Sequence, residues 1–179
     1  VTLRHALANS LNTVAAQVAI STGLDKVVEV IRAAGFDTEL RPLPSLSLGA
    51  VEIPPLEVAT AYTTLANYGL RREITATLAV VDEGGRAIAR FQPRESRALP
   101  PEETANLVQL MTTTFESGTA KAARAAGFFW PAAGKTGTTN EFRDAWFAGF
   151  TQKLLALSWV GFDRDDEVVR LHRKALKLT

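Results

Sequence analysis

The chain contains no cysteine among its 179 residues, and that absence excludes several kinds of chemistry. Without thiols the chain can form no disulfide, no thiolate metal site and no cysteine nucleophile. The lack of cysteine is nevertheless compatible with an oxidising compartment. Histidine is nearly as scarce, since only His5 and His172 occur and no H-E-x-x-H motif is present. We therefore expect no metal site, and the sequence implies no cofactor.

The chain also has no excess of charge, because its 20 Lys and Arg residues are nearly balanced by 19 Asp and Glu residues, which gives a formal net charge of +1. Neutralising a nucleic-acid backbone needs a strong basic excess, so nucleic acid is not expected as a partner. The apolar runs are too short to span a bilayer. At 46% hydrophobic and 22% charged residues, the composition is that of one globular domain with a real core.

The ends of the chain carry no initiator or targeting signal. The first residue is Val1, the only methionine is Met111, and no signal peptide is recognisable. We interpret residues 1–179 as a piece of a longer protein, so that any membrane contact would come through parts outside it.

The most informative stretch is Gly134-Lys-Thr-Gly-Thr-Thr139, which places a cation, three hydroxyls and glycine backbone within six positions. Aromatic-rich segments follow at residues 142–150 and 154–162, and both favour strands. We therefore expect the stretch to lie on or beside a sheet. In an extended strand Lys135 and Gly137 would face the same side, because side chains alternate. A cation beside exposed backbone suits an anionic, peptide-like ligand.

Three interpretations of this stretch compete. A phosphate-binding loop would need glycine where Phe129 stands, and Trp130-Pro131 would stiffen the loop, so this interpretation fails on spacing. The Lys-Thr-Gly element of serine acyltransferases is the second. An ordinary turn rich in Gly and Thr is the third.

A second polar stretch interrupts the helical pattern of residues 2–22. Polar side chains of the type that favours helix caps dominate residues 9–13. In a continuous helix Ser10 and Asn12 would project about 200° apart and could not serve one site. A break there would turn both toward one cleft, whereas the simpler alternative is a plain N-cap.

The remaining pattern predicts a mixture of helices and strands. Helices are expected at residues 25–34, 56–67 and 100–115, with a short Ala-rich helix before Trp130. A strand is expected at residues 74–81, continuing through a turn at 82–85 into a hairpin partner at 86–91. Residues 40–56, which are rich in proline, are expected to form a structured loop.

Together these segments resemble the transpeptidase domain of class A, bifunctional penicillin-binding proteins. Residues 6–12 resemble the Ser-x-Asn segment of that family, residues 45–69 its loop and helix, and residues 116–120 the segment before its third motif. The most specific match is residues 134–162, in which Lys-Thr-Gly-Thr is followed by Asp144-Ala-Trp146. The implied fold is α+β, an α/β sandwich of the penicillin-binding and serine β-lactamase type with an antiparallel sheet covered by helices, incomplete here.

The chain departs from the family pattern in three places. No serine has lysine three positions later, so the nucleophile of the Ser-x-x-Lys motif is missing. We expect it upstream, which makes residues 1–179 a partial transpeptidase domain that is inactive alone. Gln152 stands where the family usually has proline. The similarity fades after residue 162 into a charged tail, either an insertion or a solvated helix, for which we predict no site.

The resemblance implies two-step acyl transfer and assigns roles to residues of this chain. Ser10 would relay protons, Asn12 would bind the peptide group of the substrate, and Lys135 would attract its carboxylate. The Thr136 and Thr138 hydroxyls would grip that carboxylate, and the Thr138 N–H would form half of an oxyanion hole. The predicted catalytic set is therefore Ser10, Asn12, Lys135 and Thr138, and the predicted substrate-binding set is Thr136, Gly137, Thr138 and Thr139.

The implied ligands are peptidoglycan stem peptides ending in D-Ala-D-Ala, and β-lactams that mimic them, at the extracytoplasmic (periplasmic) face of the bacterial inner membrane. Two alternatives stay open. One is a D,D-carboxypeptidase or β-lactamase-like hydrolase, against which Asp144-Ala-Trp146 speaks. The other is a non-catalytic module that keeps the penicillin-binding fold.

Overall fold

A computed structural model of the chain describes residues 1–139 and 144–161. The helices are α1 (Leu3–Ala8), α2 (Asn12–Thr22), α3 (Leu24–Ala34), α4 (Pro55–Ala66), α5 (Pro101–Glu116) and α6 (Ala122–Ala125), with a 3₁₀ turn at Pro44–Leu48. The strands are β1 (Leu70–Arg72), β2 (Ala79–Val81), β3 (Ala87–Arg90), β4 (Glu95–Arg97), β5 (Ala133–Thr138), β6 (Asp144–Phe150) and β7 (Leu155–Gly161). No helix in these ranges is both long and apolar enough to cross a membrane.

The main sheet is antiparallel, with strand order β5-β6-β7, so β5 lies at one edge. On one face, Phe150 packs against Met111 of α5 and Tyr62 of α4. On the opposite face, Phe147 meets Phe115 of α5 edge to face, with ring centroids 5.9 Å apart. Helix α5 therefore contacts both faces of the sheet, and the predicted antiparallel sheet covered by helices is confirmed.

Helix α5 also covers the first half of the β5 edge. The fully buried hydroxyl of Thr114 lies 2.9 Å from the carbonyl oxygen of Gly134, to which it can donate. A side chain at Gly134 would place its Cβ 2.7 Å from the carbonyl oxygen of Ala148 and 3.3 Å from the Phe115 ring, so only glycine fits between helix and sheet. The second half of the β5 edge is different, since Thr138 is exposed.

Most predicted helices are confirmed within one or two residues, and the predicted hairpin forms between β2 and β3. Its turn is held by the carboxylate of Asp82, which accepts hydrogen bonds from the backbone N–H of Gly84 at 3.0 Å and of Arg86 at 2.8 Å. The loop at residues 40–56 contains the 3₁₀ turn, which packs against α2. Residues 142, 143 and 162 of the predicted strands, and the tail after them, lie outside the described residues.

The predicted strand at residues 74–81 is wrong over most of its length, since only Ala79–Val81 pairs with a neighbour. The hydroxyl of Thr75 donates to the carbonyl oxygen of Thr77 at 2.9 Å and accepts from its N–H at 3.3 Å. Such local side-chain bonds compete with the sheet ladder for the backbone. Strands β1 and β4, which pair with each other, were not predicted.

The bond from Thr114 to the strand edge gives a direct test of how α5 is attached. Thr114→Val keeps the side-chain shape but leaves the Gly134 carbonyl buried without its partner. We expect the free energy of unfolding, measured by urea denaturation, to fall by about 1–3 kcal/mol.

Thr112→Val on the same helix is the matched control, because within residues 1–139 and 144–161 the Thr112 hydroxyl bonds only the nearby carbonyl of Gln109. We expect a change below about 0.5 kcal/mol for this variant. Equal losses in the two variants would contradict the attachment of α5 through Thr114.

Candidate active site

The first element of the site is the break between α1 and α2. Helix α1 ends with the N–H of Leu11 donating to the carbonyl of Ala6 at 2.9 Å and the N–H of Ser10 donating to that of Leu7 at 3.3 Å. This bond pair places Ser10 in the left-handed region at φ 53°, a position that glycine usually occupies. The predicted break is confirmed.

The plain N-cap interpretation of this break is wrong. The N-cap residue of α2 is Leu11, and no side chain among the described residues caps that helix. The hydroxyl of Ser10 faces β5 instead, where it accepts a hydrogen bond from the ammonium of Lys135. The two predicted polar stretches thus meet, although they are far apart in sequence.

Lys135 lies in β5 on the same face of the sheet as Gly137, as the alternation predicted. The stretch is therefore strand and not an ordinary turn. Its half-buried ammonium donates to the Ser10 hydroxyl and, at 2.9 Å, to the carbonyl oxygen of Thr136. Burial lowers the pKa of Lys135 below the ordinary lysine value. Within residues 1–139 and 144–161 no carboxylate forms a salt bridge with it, so its charge is available to an anionic ligand.

The register of β5 decides which backbone groups face the open edge. The N–H of Thr139 donates to the carbonyl of Asp144 at 3.1 Å, and Gly137 lies opposite Trp146 in the same register. Residue pairs in an antiparallel ladder alternate between bonded and non-bonded. The N–H groups of Thr136 and Thr138 therefore point away from β6, where an extended ligand could pair with them.

The hydroxyls of Thr136 and Thr138 lie on the sheet face opposite Lys135, because side chains alternate along the strand. The Thr136 hydroxyl forms a 2.6 Å hydrogen bond with the hydroxyl of Thr119, which follows the end of α5. The Thr138 side chain is exposed and bonds no residue in the described part of the chain. The edge of β5 thus presents an ammonium, two hydroxyls and two outward N–H groups, with the Thr119 hydroxyl beside them.

Thr119 was not among the predicted site residues. Its only sequence signal was its place in the Ser117-Gly118-Thr119 run, which we interpreted as a helix end, and in the segment that resembles the one before the third motif. Neither signal shows that its hydroxyl meets Thr136, because that contact depends on how α5 lies against the sheet.

Two predicted residues are placed differently from the others. Asn12 is the exposed first residue of α2, and its side chain bonds no described residue. The Thr139 hydroxyl accepts from the backbone N–H of Asp144 at 2.8 Å, and the Asp144 carboxylate in turn accepts from the Trp159 indole at 2.9 Å. Thr139 is therefore tied to the join between β5 and β6, and its contact with substrate stays a prediction.

The groups available for chemistry at this site are polar side chains and backbone amides. Across the described ranges, no cluster of three or more His, Asp or Glu side chains could hold a metal ion. An ammonium beside a hydroxyl can move a proton, and hydroxyls beside outward N–H groups can bind an anion or a developing oxyanion.

The left-handed conformation of Ser10 is testable through stability. Ser10→Gly relieves the steric cost of a Cβ at positive φ, whereas Ser10→Ala retains it. We expect Ser10→Gly to exceed Ser10→Ala in free energy of unfolding by about 1 kcal/mol, measured by urea denaturation.

Ser21 supplies a control with the opposite sign, since it lies inside α2. There the free energy of unfolding of Ser21→Ala should exceed that of Ser21→Gly, because alanine is favoured over glycine in a helix by about 1 kcal/mol. The same order of stability at both positions would contradict the strain assigned to Ser10.

Comparison with known proteins places these features in a family. The family model described as the penicillin binding protein transpeptidase domain matches residues 1–166. A curated relative, penicillin-binding protein 1A of Aquifex aeolicus, is 40% identical over 163 residues, which cover 91% of this chain and 22% of that protein. The chain thus spans about a fifth of the length of this relative.

Solved structures agree with the sequence matches. The crystal structure of penicillin-binding protein 1A from Haemophilus influenzae superposes with a TM-score of 0.84 at 25% identity, over 92% of this chain and 30% of that one. Penicillin-binding protein A from M. tuberculosis, solved as an imipenem acyl-enzyme complex, superposes with a TM-score of 0.77 at 26% identity, over 92% of this chain and 43% of that one.

Proposed function

The chain belongs to the penicillin-binding protein transpeptidase domain family, and we propose that it forms part of a peptidoglycan D,D-transpeptidase that cross-links stem peptides by serine acyl transfer. The observation that carries this proposal is the ammonium of Lys135 against the hydroxyl of Ser10, at the start of an open strand edge. That arrangement joins a proton-transfer pair to a surface on which an extended peptide can lie.

The acyl transfer proceeds in two steps. A serine attacks the penultimate D-Ala carbonyl of a stem peptide, forming an ester and releasing the terminal D-Ala. An amine on a neighbouring stem then attacks the ester and frees the serine. No serine in this chain has lysine three positions later, so we place the nucleophile and its lysine in a segment outside residues 1–179.

Ser10 carries the proton in this mechanism. Its oxygen accepts a hydrogen bond from Lys135, so its own proton is free to be donated elsewhere. The lysine outside residues 1–179 takes the proton of the attacking serine, Ser10 hands its own proton to the leaving amine, and Ser10 recovers one from that lysine. Asn12, two residues further along, binds the peptide group of the substrate.

The strand edge recognises the substrate. The charge of Lys135 attracts the terminal carboxylate, and the hydroxyls of Thr136 and Thr138 hold it. The outward N–H of Thr138 forms half of the oxyanion hole, a contribution that is worth roughly 3–4 kcal/mol in well-studied acyl-transfer enzymes. Gly137 leaves room for the peptide to lie along the strand.

β-Lactams are the second ligand class of this site. A structural neighbour forms an acyl-enzyme with imipenem, and we propose that β-lactams acylate the same serine here. Because the substrate is part of the cell wall, we place the protein at the extracytoplasmic face of the bacterial inner membrane.

Acylation of the full-length protein by a fluorescent penicillin tests the role of Lys135. Lys135→Ala removes the cation that binds the carboxylate and contacts Ser10. We expect acylation to slow by about 10²–10³-fold, the loss typical of one preorganised electrostatic contact, with the melting temperature nearly unchanged.

Lys153→Ala is the control, since Lys153 is an exposed lysine between β6 and β7. Its acylation rate should equal that of the wild type. A rate for Lys135→Ala within about twofold of wild type would remove Lys135 from the mechanism.

Gly137→Val tests docking along the strand. The nearest atom to an added Cβ would be the Trp146 Cβ at 3.3 Å, which is tight but leaves the backbone unstrained, so stability should fall only slightly. The added methyl groups would occupy the space that the peptide needs beside β5. We therefore expect acylation to be largely abolished at a near-native melting temperature.

Ala156→Val adds branched bulk to β7, away from the β5 edge, and should acylate normally. Normal acylation of Gly137→Val would show that ligands do not lie along residues 135–138.

A further inference from the structure

Thr119 makes two hydrogen bonds that lead to the two halves of the proposed site. Its backbone N–H donates to the carbonyl oxygen of Ala8 at 3.0 Å, and Ala8 lies two residues before Ser10. Its hydroxyl lies 2.6 Å from the hydroxyl of Thr136, the residue after Lys135. One residue at the end of α5 thus contacts both the helix break and the strand edge.

The turn that carries Thr119 fits closely against α1. A Cβ on the buried Gly118 would overlap the carbonyl oxygen of Ala8 and lie 2.8 Å from the Cα of Thr114. Ala8 itself is only 1% exposed. The backbone of Thr119 is therefore held against the end of α1 by close packing and by its own N–H bond.

The hydroxyl pair has a consequence for anion binding. Two hydroxyls share two protons, and one of them is used in the bond between them. In the structure the Thr136 hydroxyl donates to the Thr119 hydroxyl. Because either hydroxyl can rotate to donate, an anionic ligand beside Thr136 favours the reverse arrangement, in which Thr119 donates and the Thr136 proton points at the ligand. In that arrangement the first bond strengthens the second by polarising it. In the described part of the chain the Thr119 hydroxyl makes no other bond, so it has no competing partner.

We propose that Thr119 is a positioning residue for the acyl-transfer site: it orients the Thr136 hydroxyl toward the carboxylate of the ligand while holding the segment before Ser10 in place. This inference rests on the proposed function. The Thr119 hydroxyl acts on ligand binding, whereas its backbone N–H holds the segment before Ser10. Any residue except proline would keep that N–H.

The test uses acylation of the full-length protein by a carboxylate-bearing penicillin, with binding and acylation resolved by varying its concentration. Thr119→Val should weaken the non-covalent complex about five- to tenfold, as expected for one hydrogen bond. The limiting acylation rate should change less than about twofold, because the carboxylate contact is made before and during reaction alike. Thr119→Ser should restore binding to within about twofold of wild type.

Thr136→Val completes a double-mutant cycle. If Thr119 acts through Thr136, adding Thr119→Val to Thr136→Val should weaken binding no further. Thr112→Val, elsewhere on α5, should behave as wild type, and the melting temperature of each variant reports on folding.

Several results would overturn the inference alone, with the wild type acylating normally. These are unchanged binding in Thr119→Val, failure of Thr119→Ser to restore it, and full additivity with Thr136→Val. A wild-type protein that penicillin does not acylate would overturn the proposed function, and this inference with it.

Discussion

The contact between the Lys135 ammonium and the Ser10 hydroxyl is the interaction on which the rest of the site depends. A partly buried ammonium needs polar partners, because burial disfavours its charged form. A serine at φ 53° needs surrounding structure that compensates for its strain. The hydrogen bond between the two groups compensates part of both costs, and the result is a hydroxyl held against the start of an open strand edge. Strain and burial thus occur together where proton transfer is proposed.

Helix α5 makes that contact possible by fixing both of its sides. Its buried Thr114 hydroxyl attaches the helix to the first half of β5. Gly118 and Thr119, just past its end, attach it to the last residue of α1. The helix therefore covers part of the strand edge and leaves the rest open. An open strand edge suits a ligand that pairs with backbone, which is how a peptide terminus would be recognised.

Local signals predicted much of this structure. The break near Ser10 follows from a cluster of capping residues, and the shared face of Lys135 and Gly137 follows from strand alternation. Features that depend on contacts between residues far apart in the sequence could not be predicted. The β-branched run at residues 74–81 favoured a strand, but composition does not reveal whether a partner strand lies alongside, and most of the run has none. Thr119 was not predicted as a site residue for the same reason: its hydrogen-bond partners lie in α1 and β5.

The central claim is that a ligand lies along the open edge of β5, and a crystal structure of the full-length protein acylated by a penicillin tests it most directly. We predict that the ligand carboxylate lies within hydrogen-bond distance of the Thr136 and Thr138 hydroxyls. The carbonyl oxygen of the acyl group should accept from the N–H of Thr138, and the Lys135–Ser10 contact should persist. An adduct whose carboxylate and carbonyl both lie away from β5, with the Thr138 N–H open to solvent, would contradict the account.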